Sequence, residues 1–351
     1  PPPPPPHTPT PQHSSAASDV YKRQGFTVIG PNWDTRDISY LKRANDQGLK
    51  VAHKIADTAG TSLKLQKRLA TPEGEAGIWR EVEKRIKAVV DDPVYNDTVE
   101  VWLQGSEELS TRRFDGDLAY IQKFRDMIQL HDPKQRPLWM SEVTGVSASQ
   151  MIDTHWCLEM VGPQMYLERI GKPGFNRHNA VINQLVCNVV KAATSLDAAY
   201  PLPHERPATV SFGALYEPIP ERDSEAFIDK IVEHDLYLAL NNGLQGFQVY
   251  SWHNYIREGV SDTTTWNWYK EAWSKHVKRL TDHDLDSAYL WGERRHDLRL
   301  DIVQGPERIQ WEQGVVHHDY PSISMQNIQY GTRRYLILTN SSTEAVQVEV
   351  S

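Results

Sequence analysis

What most constrains this chain is an alternation of two periodicities that recurs along nearly its whole length. Short runs rich in β-branched and aromatic residues stand at Phe26–Ile29, Lys50–Ile55, Val99–Leu103, Pro137–Met140, Met165–Leu167, Pro207–Phe212 and Phe247–Tyr250. Longer segments with helical spacing separate most of them. Ile38, Leu41 and Ala44 keep that spacing, with Gly48 placed for a C-cap, and so do Ile78, Val82, Ile86 and Val89. Leu118–Leu130, Asn179–Leu196, Ala226–Leu240 and Trp266–Leu280 read the same way. Strands separated by helices are joined by crossovers, so the chain predicts a parallel α/β sheet.

An open doubly wound sheet and a closed barrel both satisfy that pattern. No Gly-rich phosphate loop follows any strand, whereas polar or aromatic residues follow nearly all of them: Asn32-Trp33, Asp57, Glu107, Glu142, Glu217 and Trp252-His253. A TIM (β/α)₈ barrel gathers its chemistry at the carboxyl ends of its strands in this way. Seven strands are readable, and the eighth would lie upstream of Phe26, so the expectation is a barrel lacking its first strand. Residues 1–24 begin with six prolines, show no apolar periodicity, and predict a disordered, non-native tail. Ser14–Gln24 resembles translated sequencing-adapter sequence. Residues 25–293 would form the barrel and 294–351 the start of a small antiparallel β domain, truncated in the alternating run Val348–Ser351.

Composition excludes several partners. A net charge of −8 with the signs interspersed leaves no basic footprint for nucleic acid. No apolar run is long enough to span a bilayer. Cys157 and Cys187 have neither disulfide-framework nor metal-site spacing, and neither a metal nor a cofactor is implied. The sequence leaves oligomeric state open, and a secreted or periplasmic location is the expectation only if a signal preceded this stretch. Eleven Trp and fifteen Tyr supply rings of the kind that stack on sugar faces, although core packing uses most such rings.

Cleaving a glycosidic bond needs two carboxyl groups across the bond, one protonated and one ionised. Glu107 follows an apolar strand directly and is the candidate acid/base. Glu108 beside it is placed to bind substrate or to raise the pKa of its neighbour, and a solvated loop with Arg112 and Arg113 as counter-charges is the competing reading. The stretch Trp102-Leu103-Gln104-Gly105-Ser106-Glu107 resembles the fourth strand of glycoside-hydrolase barrels, which ends in Asn-Glu or Asp-Glu with the Glu as proton donor. Ser106 stands where the Asn or Asp would be. Phe26–Ile29 resembles the second strand of that superfamily, Gly246–Trp252 the eighth, and Arg334–Ser342 the opening of its trailing β-sandwich.

That resemblance implies a nucleophile at the end of the seventh strand, which is Glu217 here, with Glu142 as the rival. It implies a carbohydrate substrate held by Asn32, Trp33, His53, Glu108, Tyr166, Trp252 and His253. His53 lies within its strand, where it points into the barrel or is a satisfied buried histidine. His317-His318 reads as a surface loop. Three functions compete: a retaining glycoside hydrolase, a non-catalytic carbohydrate-binding barrel, and a metal-dependent hydrolase built on His53 and Asp57.

Overall fold

The computed structural model describes residues 28–30, 38–55, 67–104, 117–140, 147–165, 175–202, 204–213, 225–250, 264–313 and 316–351. Seven parallel strands run through the first two thirds: β1 (Val28–Ile29), β2 (Lys50–Lys54), β3 (Val99–Gln104), β4 (Leu138–Met140), β5 (Gln164–Met165), β6 (Thr209–Gly213) and β7 (Gly246–Tyr250). They hydrogen-bond in chain order, β1-β2-β3-β4 in one ladder and β5-β6-β7 in another, and every pair is parallel. Around them lie α1 (Ser39–Asp46), α2 (Pro72–Val90), α3 (Pro93–Thr98), α4 (Asp117–His131), α5 (Ala148–His155), α6 (Phe175–Ala199), α7 (Glu225–Asn241), α8 (Thr264–Asp282) and α9 (Leu285–Trp291).

Local chemistry sets the helix ends. Gly48 stops α1 with φ 62°, a left-handed conformation that costs glycine nothing, while the Leu49 amide donates back to the Ala44 carbonyl at 2.9 Å. Helix α2 begins a full turn and more before the expected Ile78. Thr71 accepts from the Gly74 amide at 3.2 Å, Pro72 follows it, and Glu73 and Glu75 occupy the first turn. That turn is polar, so apolar periodicity did not reveal it. The same signal builds α3, which the sequence reading lacked: Asp92 accepts from Val94 and Tyr95 at 2.8 and 3.1 Å ahead of Pro93. Helices α5 and α9 were also unanticipated.

Side chains close the ring where ladders do not. Between β4 and β5, buried Glu159 accepts the Leu138 amide at 2.9 Å and pairs with Arg125 of α4. The Trp139 indole lies against Gly162, where a Cβ would stand 2.6 Å from its nitrogen, and Val161 bridges Ala208 beside β6. At the other seam a Cβ on Gly30, just past β1, would meet the Gln248 amide of β7 at 2.5 Å. The seven strands therefore curve round until last faces first, and the architecture is a (β/α) barrel.

Two apolar clusters fill the space between strands and helices. Leu41, Ile86, Ile121 and Phe124 pack on β2 and β3 in one, and Leu185, Val189, Leu236 and Trp273 pack on β6 and β7 in the other. The amino ends of the strands are tied by two buried arginines. Arg136, just before β4, donates to the Val99 carbonyl at 2.8 Å and to Asp132 at 2.6 Å, while Trp102 donates its indole N–H to Asp132 at 2.8 Å. Arg206, before β6, donates to the Leu158 carbonyl at 2.8 Å, to Asp197 at 2.9 Å and to the Tyr200 carbonyl at 2.7 Å. Each guanidinium fork satisfies carbonyls that the turns would otherwise bury unpaired.

From β8 (Glu293–Arg294) onward the described pairing is antiparallel, through β9 (Leu300–Gln304), β10 (Arg308–Gln313), β11 (Val316–Pro321), β12 (Ile323–Tyr330), β13 (Arg333–Asn340) and β14 (Gln347–Val350). His317 and His318 belong to β11, opposite Glu312 and Trp311, and not to a surface loop. Their alternation was masked by charge and by the short connection to β10. This β unit packs Tyr335 and Ile337 onto the barrel core near α7.

Asp132→Ala leaves Arg136 and the Trp102 indole buried without their shared acceptor. Chemical denaturation should show a loss of about 3–5 kcal/mol. A loss below about 1 kcal/mol would mean that this clamp contributes little.

Candidate active-site face of the barrel

The parallel ladders align the carboxyl ends of all seven strands on one face. The chain leaves β3 at Gln104 and reaches Glu107 and Glu108 shortly after; it leaves β4 at Met140 before Glu142, and β6 at Gly213 before Glu217. Tyr166 follows β5 directly, Trp252 and His253 follow β7, and Asn32 and Trp33 follow β1 and Gly30. Asn32, Trp33, Glu107, Glu108, Glu142, Tyr166, Glu217, Trp252 and His253 lie outside the described residues, as does Asp57.

His53 is the one candidate whose side chain is described, and it faces away from the barrel interior. Its neighbours at alternate positions, Val51 and Ile55, belong to the outer apolar cluster, and its ladder partner Trp102 does too. The ring is 2% exposed, lies 5.8 Å from the Trp102 ring, and its Nδ1 is 2.5 Å from the Tyr40 hydroxyl of α1. The Tyr40 hydroxyl donates to Nδ1 when the imidazole is neutral with its proton on Nε2. Burial first, and the Arg85 guanidinium second, lower the His53 pKa to about 4. His53 thus packs the strand against its helices, which is the satisfied buried histidine of the two sequence readings.

Alternation sends the next residue inward. Lys54, the last residue of β2, is 4% exposed and pairs in register with Leu103, which pairs with Trp139 of β4. Leu103 and Trp139 are buried yet belong to neither helix-side cluster. Lys54, Leu103 and Trp139 thus form a row inside the barrel, with Lys54 at its carboxyl end. The Trp139 indole N–H has no hydrogen-bond partner among the described residues. Opposite, Gln248 reaches across to Gly30. Lys54, Trp139 and Gln248 were not singled out from sequence. Once the packing of Val51 and Ile55 fixes the outer face, period-two counting assigns Lys54 to the inner one.

No family model matches this chain, and no curated protein matches it. Among solved structures it is similar to the β-glucuronidase of Bifidobacterium dentium complexed with coumarin-3-O-glucuronide, at 11% identity over 74% of this chain and 42% of that one, with a TM-score of 0.45. The β-glucuronidase of Lactobacillus rhamnosus is 13% identical over 74% of this chain and 46% of its own, with a TM-score of 0.48. That of Faecalibacterium prausnitzii is 13% identical over 74% and 44%, also with a TM-score of 0.48. This chain spans less than half the length of each of the three. No helix among the described residues is long and apolar enough to cross a membrane.

The lowered His53 pKa has a consequence for stability. An unfolded histidine takes its proton near pH 6.5 and the folded one only near pH 4, so between those values the unfolded state binds more protons. The contribution is present above about pH 6.5 and is lost as pH falls toward 4, by about 3 kcal/mol in all. Denaturant titrations of wild type and His53→Gln across that range should show a shallower pH dependence in the variant. Equal slopes would remove His53 as the cause.

Proposed function

We propose that residues 25–293 are the catalytic barrel of a glycoside hydrolase and that 294–351 belong to an accompanying β-sandwich. The observation that carries this reading is the shared polarity of β3, β4 and β6. Glu107, Glu142 and Glu217 follow the carboxyl ends of three strands of one parallel ring, the arrangement from which opposed carboxyl groups are delivered to a common mouth. Sequence contributes the aromatic residues at the same ends, Trp33, Tyr166 and Trp252.

In the retaining form of this chemistry Glu107, protonated, gives its proton to the leaving glycosidic oxygen while Glu217 attacks the anomeric carbon. Water then breaks the glycosyl ester, with Glu107 now acting as base. Glu142 takes the place of Glu217 if it is the carboxylate that opposes Glu107. Carboxyl groups about 5–5.5 Å apart give retention, and about 6.5–9.5 Å gives inversion with an activated water.

A panel of aryl α- and β-glycosides, neutral and acidic, tests the proposal. Wild type should release phenol, and Glu107→Gln should lower kcat by 100-fold or more on substrates with poor leaving groups. Between Glu217→Gln and Glu142→Gln, the nucleophile is the one whose loss abolishes turnover. The proton NMR signal of the newly formed anomer gives the stereochemistry. Glycan binding without product over long incubation would instead identify a carbohydrate-binding barrel, and full activity in Glu107→Gln would remove that residue from the mechanism.

A further inference from the structure

We propose that Asn340 is an acceptor for an N-linked glycan and that the sugar lies along an exposed apolar row of β13; neither point rests on the glycosidase reading above. The acceptor pattern Asn-x-Ser/Thr occurs twice in the chain, at Asn96-Asp97-Thr98 and at Asn340-Ser341-Ser342. The fold separates the two. Asn96 lies in α3, where its side-chain oxygen and its carbonyl both accept from the Arg136 guanidinium, and Thr98 is fully buried with its hydroxyl donating to the Val94 carbonyl at 2.6 Å. A sugar on that amide would crowd the arginine that ties β3 to β4. Asn340 instead is exposed at the end of β13. Its neighbours turn inward: the Thr339 hydroxyl accepts from Asn241 at 3.0 Å, and the Ser341 hydroxyl lies 2.9 Å from His234 Nε2. Alternation therefore sends the Asn340 side chain outward.

The turn after β13 holds the amide in place for this chemistry. Asn340 Oδ1 accepts from the Ser342 amide at 2.8 Å, and Nδ2 donates to the Glu344 carbonyl at 3.0 Å. The co-reactant is an oligosaccharide carried on a lipid diphosphate. Nδ2 attacks its anomeric carbon, the new C–N bond replaces the bond to the diphosphate oxygen, the lipid diphosphate leaves, and one amide proton passes to a base of the transferring enzyme. The N–H that remains can keep the bond to Glu344, so the turn survives modification. Leu336 and Leu338 are 44% and 40% exposed and share the outward face of β13 with Asn340 at alternate positions. Four residues of strand span about 14 Å, so a glycan of several sugars reaches along this row from its end. Bulky and hydrophilic, it would screen apolar surface that otherwise invites association.

The test secretes the full chain from insect cells behind a cleavable signal and maps its glycans by mass spectrometry. Enzymatic release in heavy-oxygen water converts each occupied Asn to a labelled Asp. Asn340 should be occupied and Asn96 empty in the folded, secreted protein. Ser342→Thr should keep or raise the occupancy, while Ser342→Ala and Asn340→Gln should abolish it. An unmodified Asn340 overturns the site, and equal occupancy of Asn96 overturns the contrast between the two. The covering role is read separately. Asn340→Gln should bind several-fold more of an apolar fluorescent dye than the glycosylated protein, and adding Leu336→Ser should reverse part of that gain. Enzymatic trimming of the folded glycoprotein replaces Asn340→Gln if that variant does not fold. Equal dye binding with and without the sugar overturns its placement along the leucines.

Discussion

Everything in this barrel depends on strands that are buried on both sides. A parallel ladder satisfies the backbone of β2 or β6 only toward its neighbours, and each crossover helix must lie outside the ring, so one side-chain row meets helices and the other meets the enclosed interior. Consecutive residues then belong to different environments. His53 and Lys54 illustrate how far the two can differ. One is an imidazole held by a tyrosine in an apolar layer, and the other is a lysine buried on the enclosed, inward face.

The two ends of the strands have divided the remaining work. At the amino ends, Arg136 and Arg206 each turn a short connection into a rigid joint by collecting backbone carbonyls and one carboxylate in a single planar fork. Lysine has no such fork and would leave carbonyls unpaired at both places. The stiffness generated there is transmitted along the strands to the opposite end, where the chain passes to the residues proposed to act on substrate. A barrel separates stability from chemistry in this manner, because the face that is closed by hydrogen bonds is not the face through which ligands enter.

Much of this was legible beforehand. Seven strands and most of the helices were readable from periodicity alone, since Ile78, Val82, Ile86 and Val89 or Leu185, Val189 and Ala192 leave little choice of face. Helices α3 and α5 escaped because they are short, and the first turn of α2 escaped because it is announced by Thr71 and Pro72 and not by apolar residues. The site was less legible. A strand buried on both sides carries no alternation of polarity to show which residue points where, and Lys50-Val51-Ala52-His53-Lys54 is polar on both faces. Only the packing of Val51 and Ile55 decides it. Trp139 was hidden likewise, as one ring in an apolar run whose preceding residue, Leu138, packs toward the helices.

The β unit bears on the same question through the way it is attached. Apolar contacts from Tyr335 and Ile337 would let it slide on α7, but directional bonds fix it. Asn241 donates to the Thr339 hydroxyl at 3.0 Å and accepts from Tyr289 at 2.8 Å, and Gln326 donates to the Asn241 carbonyl at 2.5 Å. Further along, the Ser341 hydroxyl lies 2.9 Å from His234 Nε2 and the Ser341 carbonyl accepts from Asn179 at 2.6 Å. Buried polar groups of this kind lose more when misplaced than apolar ones do, so they specify one orientation. Asn179 lies near the start of α6 and His234 in α7, the helices that follow β5 and β6. By gripping both helices at once, the β unit braces the two strands from which the chain departs toward Tyr166 and Glu217, and the carboxylate proposed at Glu217 would gain from such support.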